Sequence, residues 1–262
     1  MSHRCHEGGF DLKADPYASR NVYRCCTGNK DLLLTRFTEA ETDRAVYTLR
    51  KMKPEALSSV SSVRAKILEE IKKRPEFLTS LVPIVPRGDE TEPVRKMLSA
   101  SRIAGTGPMA AVAGLIAETA GRSLLPLSPE VIIENGGDIF LCGEKERIVA
   151  VFAGTIPLSG KIGIRITPKN GYGICTSSGT YGHSLSFGKA DAAIILAPDT
   201  ALADAAATML GNKCTSESAL EDAVNWAASL PGVDGAIAII HDRIAISGAC
   251  LADRIVALEG NT

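Results

Sequence analysis

The residues that could do chemistry fall in short runs: Asn135-Gly136-Gly137-Asp138, Thr176-Ser177-Ser178-Gly179-Thr180-Tyr181 and Ala203-Asp204-Ala205-Ala206-Ala207-Thr208. Asp204 and Thr208 stand four apart in an otherwise alanine turn. A helix would put both oxygens on one face, where a hard cation such as Mg²⁺ could be shared with a diphosphate. Taken singly, Asp204 also reads as an acid favoured in a first helical turn, and Thr208 as a helix residue bonding back to its own backbone. The small residues from Gly173 to Gly179 read as a loop whose backbone N–H groups a phosphate or flavin could approach, because glycine lacks a Cβ. Side chains of Thr176, Ser177, Ser178 and Tyr181 could hold an isoalloxazine edge, a ribose or a phosphate. Asn135 to Asp138 reads either as part of that site or as a plain strand-to-strand turn. His183 is the histidine nearest this loop, either a general base or a surface residue.

These runs need elements to hold them. An opening hairpin is expected from Asn21 to Cys26 and Asp31 to Phe37, about Thr27-Gly28-Asn29-Lys30. Val60, Val63, Ile67, Leu68 and Ile71 give Pro54 to Ser80 a helical period, with a break at Pro75. Glu92 to about Ala100 begins another helix, and the alanine-rich run Ala110 to Ala120 must be a helix buried on most sides. Val131-Ile132-Ile133 reads as an inner strand that delivers Asn135 to Asp138. Ile139 to Cys142, Ile148 to Phe152 and Ile162 to Ile166 read as further strands. The apolar strand Ala190 to Leu196 leads into a helix capped by Asp199 or Thr200, which carries Asp204 and Thr208 and ends at Gly211. A helix over Ser216 to Ser229 and a hairpin, Ala236 to Ile240 with Arg243 to Ser247 about His241-Asp242, follow. Strands cluster instead of alternating with helices, which points to an α+β fold with largely antiparallel sheets.

Composition narrows the function. The chain has 262 residues, 45% of them hydrophobic, and a formal net charge of -1, so it can bury a core and has no global field to attract nucleic acid or an anionic membrane. The basic stretch Arg64, Lys66, Lys72, Lys73 and Arg74 is interleaved with Glu69, Glu70 and Glu76 and reads as a solvated helix face. Seven cysteines include no C-x-x-C pair, which argues against a zinc cluster or disulfide framework and for a reducing compartment. Cys142, Cys175 and Cys250 read as small buried hydrophobes, and Cys25-Cys26 as one inward and one outward strand residue. The polar start and the lack of a long apolar stretch predict a cytoplasmic protein without a leader or membrane span. The serine-hydrolase elbow and the Walker and Rossmann glycine patterns are absent.

In this order the motifs resemble the ApbE-like superfamily, flavin transferases that use FAD and Mg²⁺ to attach FMN to a threonine or serine of a target protein. Asn135-Gly136-Gly137-Asp138-Ile139 is similar to the family's Gly-Gly-Asp-Ile turn. Thr176-Ser177 through Gly179-Thr180-Tyr181 is similar to its Thr-Ser-Gly-x-Tyr, and Ala203-Asp204 through Thr208 to its Ala-Asp-Ala-x-x-Thr. The resemblance implies an ApbE-like domain over 1–262, with 1–90 an N-terminal hairpin and helix region and 103–211 the motif-bearing core. It implies Asp204 and Thr208 as metal ligands, and Asn135, Gly136, Gly137, Asp138, Thr176, Ser177, Ser178, Gly179 and Tyr181 as the FAD site. The whole chain also looks like a small ApbE-related family of cytoplasmic proteins from anaerobic archaea and bacteria, some members of which are linked to homocysteine formation. Departures remain. The His-x-x-Asp-Pro-x-Thr-Gly segment expected after the tyrosine is replaced by Gly182 to Lys189, so His183 is not safely equivalent to the family's base. Gly105-Thr106-Gly107-Pro108 replaces a lysine-glycine pair before the buried helix. Expected functions are therefore a flavin transferase acting on an acceptor protein, or a noncatalytic flavin or nucleotide binder or accessory factor in anaerobic sulfur metabolism. A homo-oligomer joined through exposed sheet edges is the third expectation.

Overall fold

The computed structural model describes residues 31–39, 42–179, 187–249 and 251–258, and structural statements below concern these residues. An eight-stranded sheet is the spine, in the order β1-β2-β3-β4-β7-β8-β9-β10, with every described pairing antiparallel. Its strands are β1 (Leu33–Glu39), β2 (Thr42–Thr48), β3 (Val131–Asn135), β4 (Asp138–Cys142), β7 (Tyr172–Ser177), β8 (Ala192–Ala197), β9 (Gly235–Ile240) and β10 (Arg243–Ser247). A second sheet, β11-β6-β5, uses β5 (Arg147–Ala150), β6 (Ile162–Ile166) and β11 (Ile255–Ala257). The mixed α+β architecture with antiparallel sheets is the one the strand clustering predicts.

Period-2 alternation divides the large sheet's side chains between two cores. Val46, Val131, Ile133, Phe140, Ile195 and Ala238 pack against the helices. Ala45, Tyr47, Ile132, Leu141, Ile194 and Ile239 face the small sheet. Strand β8 is buried on both faces, which is why its sequence is one unbroken apolar run.

The helix layer comprises α1 (Lys53–Lys73), the short α2 (Glu76–Thr79), α3 (Glu92–Ala104), α4 (Val112–Leu124), α5 (Thr200–Lys213) and α6 (Leu220–Ala228). Helix α1 buries Ala56, Val60, Val63 and Ile67, one stripe at helical spacing. Pro54 sits at its first turn, where a missing N–H costs nothing. No single helix among the described residues is long and apolar enough to cross a membrane.

Several expectations need correction. The described hairpin joins β1 to β2, and the predicted strand Asn21 to Cys26 lies outside the described residues. Strand β2 was not expected, because Thr42-Asp43-Arg44 opens it with polar residues. Gly173 to Ser177 is not loop but strand β7, paired with β4 and β8 on either side; two partner strands override the low strand propensity of its small residues. Helix α5 runs past Gly211 to Lys213. The basic stretch is only partly solvated: Lys66, Lys72 and Lys73 are exposed, whereas Arg74 and Glu70 are buried and face one another at 3.8 Å, with Arg87 at 3.2 Å from Glu70.

Candidate functional site

The candidate site begins at the β3–β4 hairpin. Gly136 and Gly137 form its turn with φ of 73° and 117°, positive values that a two-residue hairpin turn needs and glycine adopts without strain. Directly opposed residues share a face, so the register lays Arg44, Asn135, Asp138 and Cys175 in one row across β2, β3, β4 and β7. Val46 beside Arg44 and Cys175 itself belong to the helix-side core, so this polar row lies beneath the helices.

Helices α4 and α5 cross above it. The backbone N–H of Gly114, in the first turn of α4, donates to Asp204 Oδ2 at 2.8 Å. That hydrogen bond depends on a bare backbone. A Cβ at Gly114 would run into the carbonyl oxygen of Thr200 and come within 2.8 Å of Asp204 Cβ. Helix α5 is itself fixed from both sides at its start: Asp199 Oδ1 accepts from Leu202 N at 3.0 Å, and Glu118 Oε2 on α4 accepts from Thr200 N at 3.0 Å. Asp199 is thus the N-cap expected from the sequence.

Electrostatics distinguish Asp204 from the other acids. Burial and the nearby charge of Asp138 push its carboxyl well above the usual carboxylate range, against the opposing pull of the Gly114 and Ala113 N–H groups. Cys175 is fully buried beside the same acids. Burial and the charges of Asp138 and Asp204 raise its thiol, which donates to Thr200 O at 3.5 Å.

A pocket of about 290 Å³ opens over this junction. Asp138, Asp204 and Thr208 line it together, with Asn212 one turn beyond Thr208 and an apolar border of Leu78, Leu81, Met109, Phe187 and Met209. The i, i+4 pair on α5 therefore shares one face, and Asp138 joins it. Asn135 sits below, its Nδ2 donating to Ala113 O at 2.9 Å, while its Oδ1 is buried without a partner. Thr176 and Ser177 lie on β7 alongside the Gly136-Gly137 turn; a Cβ on Gly137 would stand 3.6 Å from Thr176 O. Ser178 is partly buried beyond the strand end, and Gly179 N donates to Ala190 O at 2.8 Å, returning the chain to the sheet. None of these residues is among those that line the pocket. Tyr181 and His183 lie outside the described residues.

The sequence did not single out Met109, Phe187, Met209, Asn212 or the segment Leu78 to Leu81, and Thr106 enters it only within the departure Gly105 to Pro108. The last carries a signal, apolar Leu78 and Leu81 beside a proline-punctuated connection, and both are exposed in the structure.

An antiparallel sheet carrying the Gly-Gly-Asp turn, with buried helices crossing over it, is an ApbE-like α+β fold. Among solved structures, a variant of the flavin transferase ApbE from Vibrio cholerae matches with a TM-score of 0.53 at 9% identity, covering 85% of this chain and 98% of that one. The ApbE protein of Thermotoga maritima matches at 0.52 with 12% identity, covering 83% and 97%. At that identity the likeness is one of fold. The chain belongs to the ApbE-like family described as "AbpE bacteria", which matches residues 20–229. A UPF0280 protein of Methanocaldococcus jannaschii is 41% identical over 191 residues, 71% of this chain and 78% of its own length. Another, of Methanococcus aeolicus, is 42% identical over 195 residues with the same two coverages.

Proposed function

We propose that this protein binds FAD together with Mg²⁺ in the pocket over α4 and α5. The observation that carries the reading is the apposition of Asp138 and Asp204 beside Thr208, where burial and like charge raise the Asp204 carboxyl. Two carboxylates held together in a buried place are stabilised by a cation between them. Among the described residues no group of three or more His, Cys, Asp or Glu side chains is placed to hold a metal. The set fits Mg²⁺, which takes one or two carboxylates and completes its shell with water and phosphate oxygens. Asp138, Asp204 and Thr208 would hold the cation, and the Gly136-Gly137 turn with the end of β7 would border the nucleotide. When bound, Mg²⁺ would supply charge neutralisation for the diphosphate, the main requirement for transfer from it. Gly114 N and Ala113 N keep Asp204 aimed and ionisable.

Calorimetry with FAD, with and without Mg²⁺, tests the proposal. Mg²⁺-dependent binding is expected, and Asp204→Asn should weaken it by more than about 100-fold, since loss of even an outer-shell partner costs metal sites 10- to 100-fold. No binding by the unaltered protein, or equal binding by the variant, would overturn the reading.

The short interval Gly182 to Lys189, which lacks Asp-Pro and Thr-Gly, favours a second reading in which the pocket binds nucleotide without transferring it. Incubation with FAD, Mg²⁺ and a threonine-containing acceptor peptide separates the two. Covalent FMN with release of AMP supports the transferase; bound FAD and an unmodified peptide support the binder.

A further inference from the structure

Thr106 is 3% exposed and lines the pocket, and its hydroxyl is buried without a hydrogen-bond partner. Its backbone is fully engaged. The N–H donates to Ser101 O at 3.1 Å, and the carbonyl accepts from Ser101 Oγ at 2.6 Å. The neighbouring residues lock the loop further: a Cβ at Gly107 would collide with the carbonyl of Ser80, and one at Gly105 would touch Met209 Cε at 3.7 Å. A rigid loop thus holds one hydroxyl in a buried place where it satisfies nothing in the protein. Such a group destabilises the fold and is retained where something else bonds to it.

The surroundings indicate what that partner is. The pocket is lined by apolar Leu81 and Met209, which approach the Gly105 to Gly107 loop, by Met109, and also by Asp138, Asp204 and Thr208. A ligand that satisfies both has an apolar body with a polar group in its perimeter, joined to an anionic part that carries a cation. At about 290 Å³ the pocket lies at the foot of the range for small-molecule sites. We infer that the Thr106 hydroxyl is the specificity contact for a planar heteroaromatic ring of a nucleotide, hydrogen-bonded to a ring nitrogen or carbonyl at its edge. This rests on the nucleotide-binding proposal above and adds which residue reads the ring. Flavin and adenine share the required chemistry.

Thr106→Val removes the hydroxyl and keeps the shape, and Thr106→Ser keeps the hydroxyl. Affinities for FAD, FMN and ADP with Mg²⁺ are measured by calorimetry, and Tm without nucleotide by scanning calorimetry. Thr106→Val is expected to lose about tenfold in affinity, the equivalent of one hydrogen bond, for FAD and for only one of FMN and ADP. Loss for FMN assigns the ring as flavin, and loss for ADP as adenine; either supports the inference. Thr106→Ser should stay within about threefold of the unaltered protein. The Tm of Thr106→Val should be unchanged or higher, because an unpaired buried hydroxyl has been removed. Unaltered affinities in Thr106→Val, or a lowered Tm restored by serine, overturn the inference while leaving the nucleotide proposal standing. If the unaltered protein binds none of the three ligands, both fall.

Discussion

Two acidic regions of this molecule are built in opposite ways. Where β1, β3 and β5 meet, Glu130 accepts from Arg147 Nη2 at 2.9 Å and from the backbone of Glu144 at 2.9 Å, and Arg147 continues to Asp31 at 2.7 Å with Lys145 at 2.9 Å. Hydrogen bonds from Arg147 and Lys145 hold the Asp31 carboxyl far below the ordinary carboxylate range. Where α4 crosses α5, Asp204 has backbone N–H donors and a second carboxylate for a neighbour, and among the described residues no Lys or Arg forms an ion pair with it. Its carboxyl is shifted the other way. The first region meets its electrostatic needs from the chain's own residues and serves the fold. Among the described residues the second gives Asp204 no cation, which under the proposal above a bound ligand supplies.

Removing the cation from the first region should give the largest change. Arg147→Met leaves Glu130 and Asp31 without their shared guanidinium, and breaking a buried pair from one side costs about 3 kcal/mol or more. Urea unfolding at pH 7 measures it. Asp31 has a lowered folded pKa, so its contribution is complete above its ordinary value of 3.8 and is lost as the pH falls toward the depressed folded value. The gap between the two proteins should therefore narrow below that pH. A variant as stable as the original would erase the contrast between the regions.

Removing charge from the second region should have the opposite sign. Asp204 has a raised folded pKa, so its contribution is complete below 3.8 and is lost as the pH rises through the folded value. Asp204→Asn mimics the protonated form. Without ligand it should be more stable than the parent near pH 8, and the advantage should vanish in acid. Mg²⁺ should raise the Tm of the parent and not of the variant. A destabilised Asp204→Asn at neutral pH would mean that the ionised carboxylate is structural.

The two regions also differ in how far the sequence discloses them. The α5 segment was legible because its signals are local: Asp199 before the apolar helix, and Asp204 and Thr208 at i, i+4 among alanines. The strands Ile139 to Cys142, Ile162 to Ile166 and Ala190 to Leu196 were legible from apolar runs, to within a few residues. Pairing is not local. Nothing near Arg44 announces that it is fully buried on β2, and nothing near Glu130 announces Arg147 or Asp31. Asp138 was read as part of a glycine turn and of the FAD site, without Asp204 as its neighbour. It reaches Asp204 only because β4 is inserted between β3 and β7 and α5 crosses that row. Thr106 was noted only as a departure from a lysine-glycine pair; its orphaned hydroxyl follows from the way Ser101 and Ser80 close around the loop.

The smallest effect concerns what holds the second region in place. Asp199 accepts from Leu202 N, and Glu118, itself paired with Arg122 at 2.7 Å, accepts from Thr200 N, so the start of α5 is fixed twice. Asp199→Ala should cost about 1 kcal/mol in urea unfolding, the usual value of an N-cap, and Asp199→Asn only a few tenths because its amide oxygen still accepts. Asp204 and Thr208 lie one and two turns further along, still aligned by the Gly114 contact and by Glu118. Mg²⁺-dependent FAD affinity should then change by less than about threefold in either variant. A loss comparable to that of Asp204→Asn would mean that Asp199 helps hold the cation.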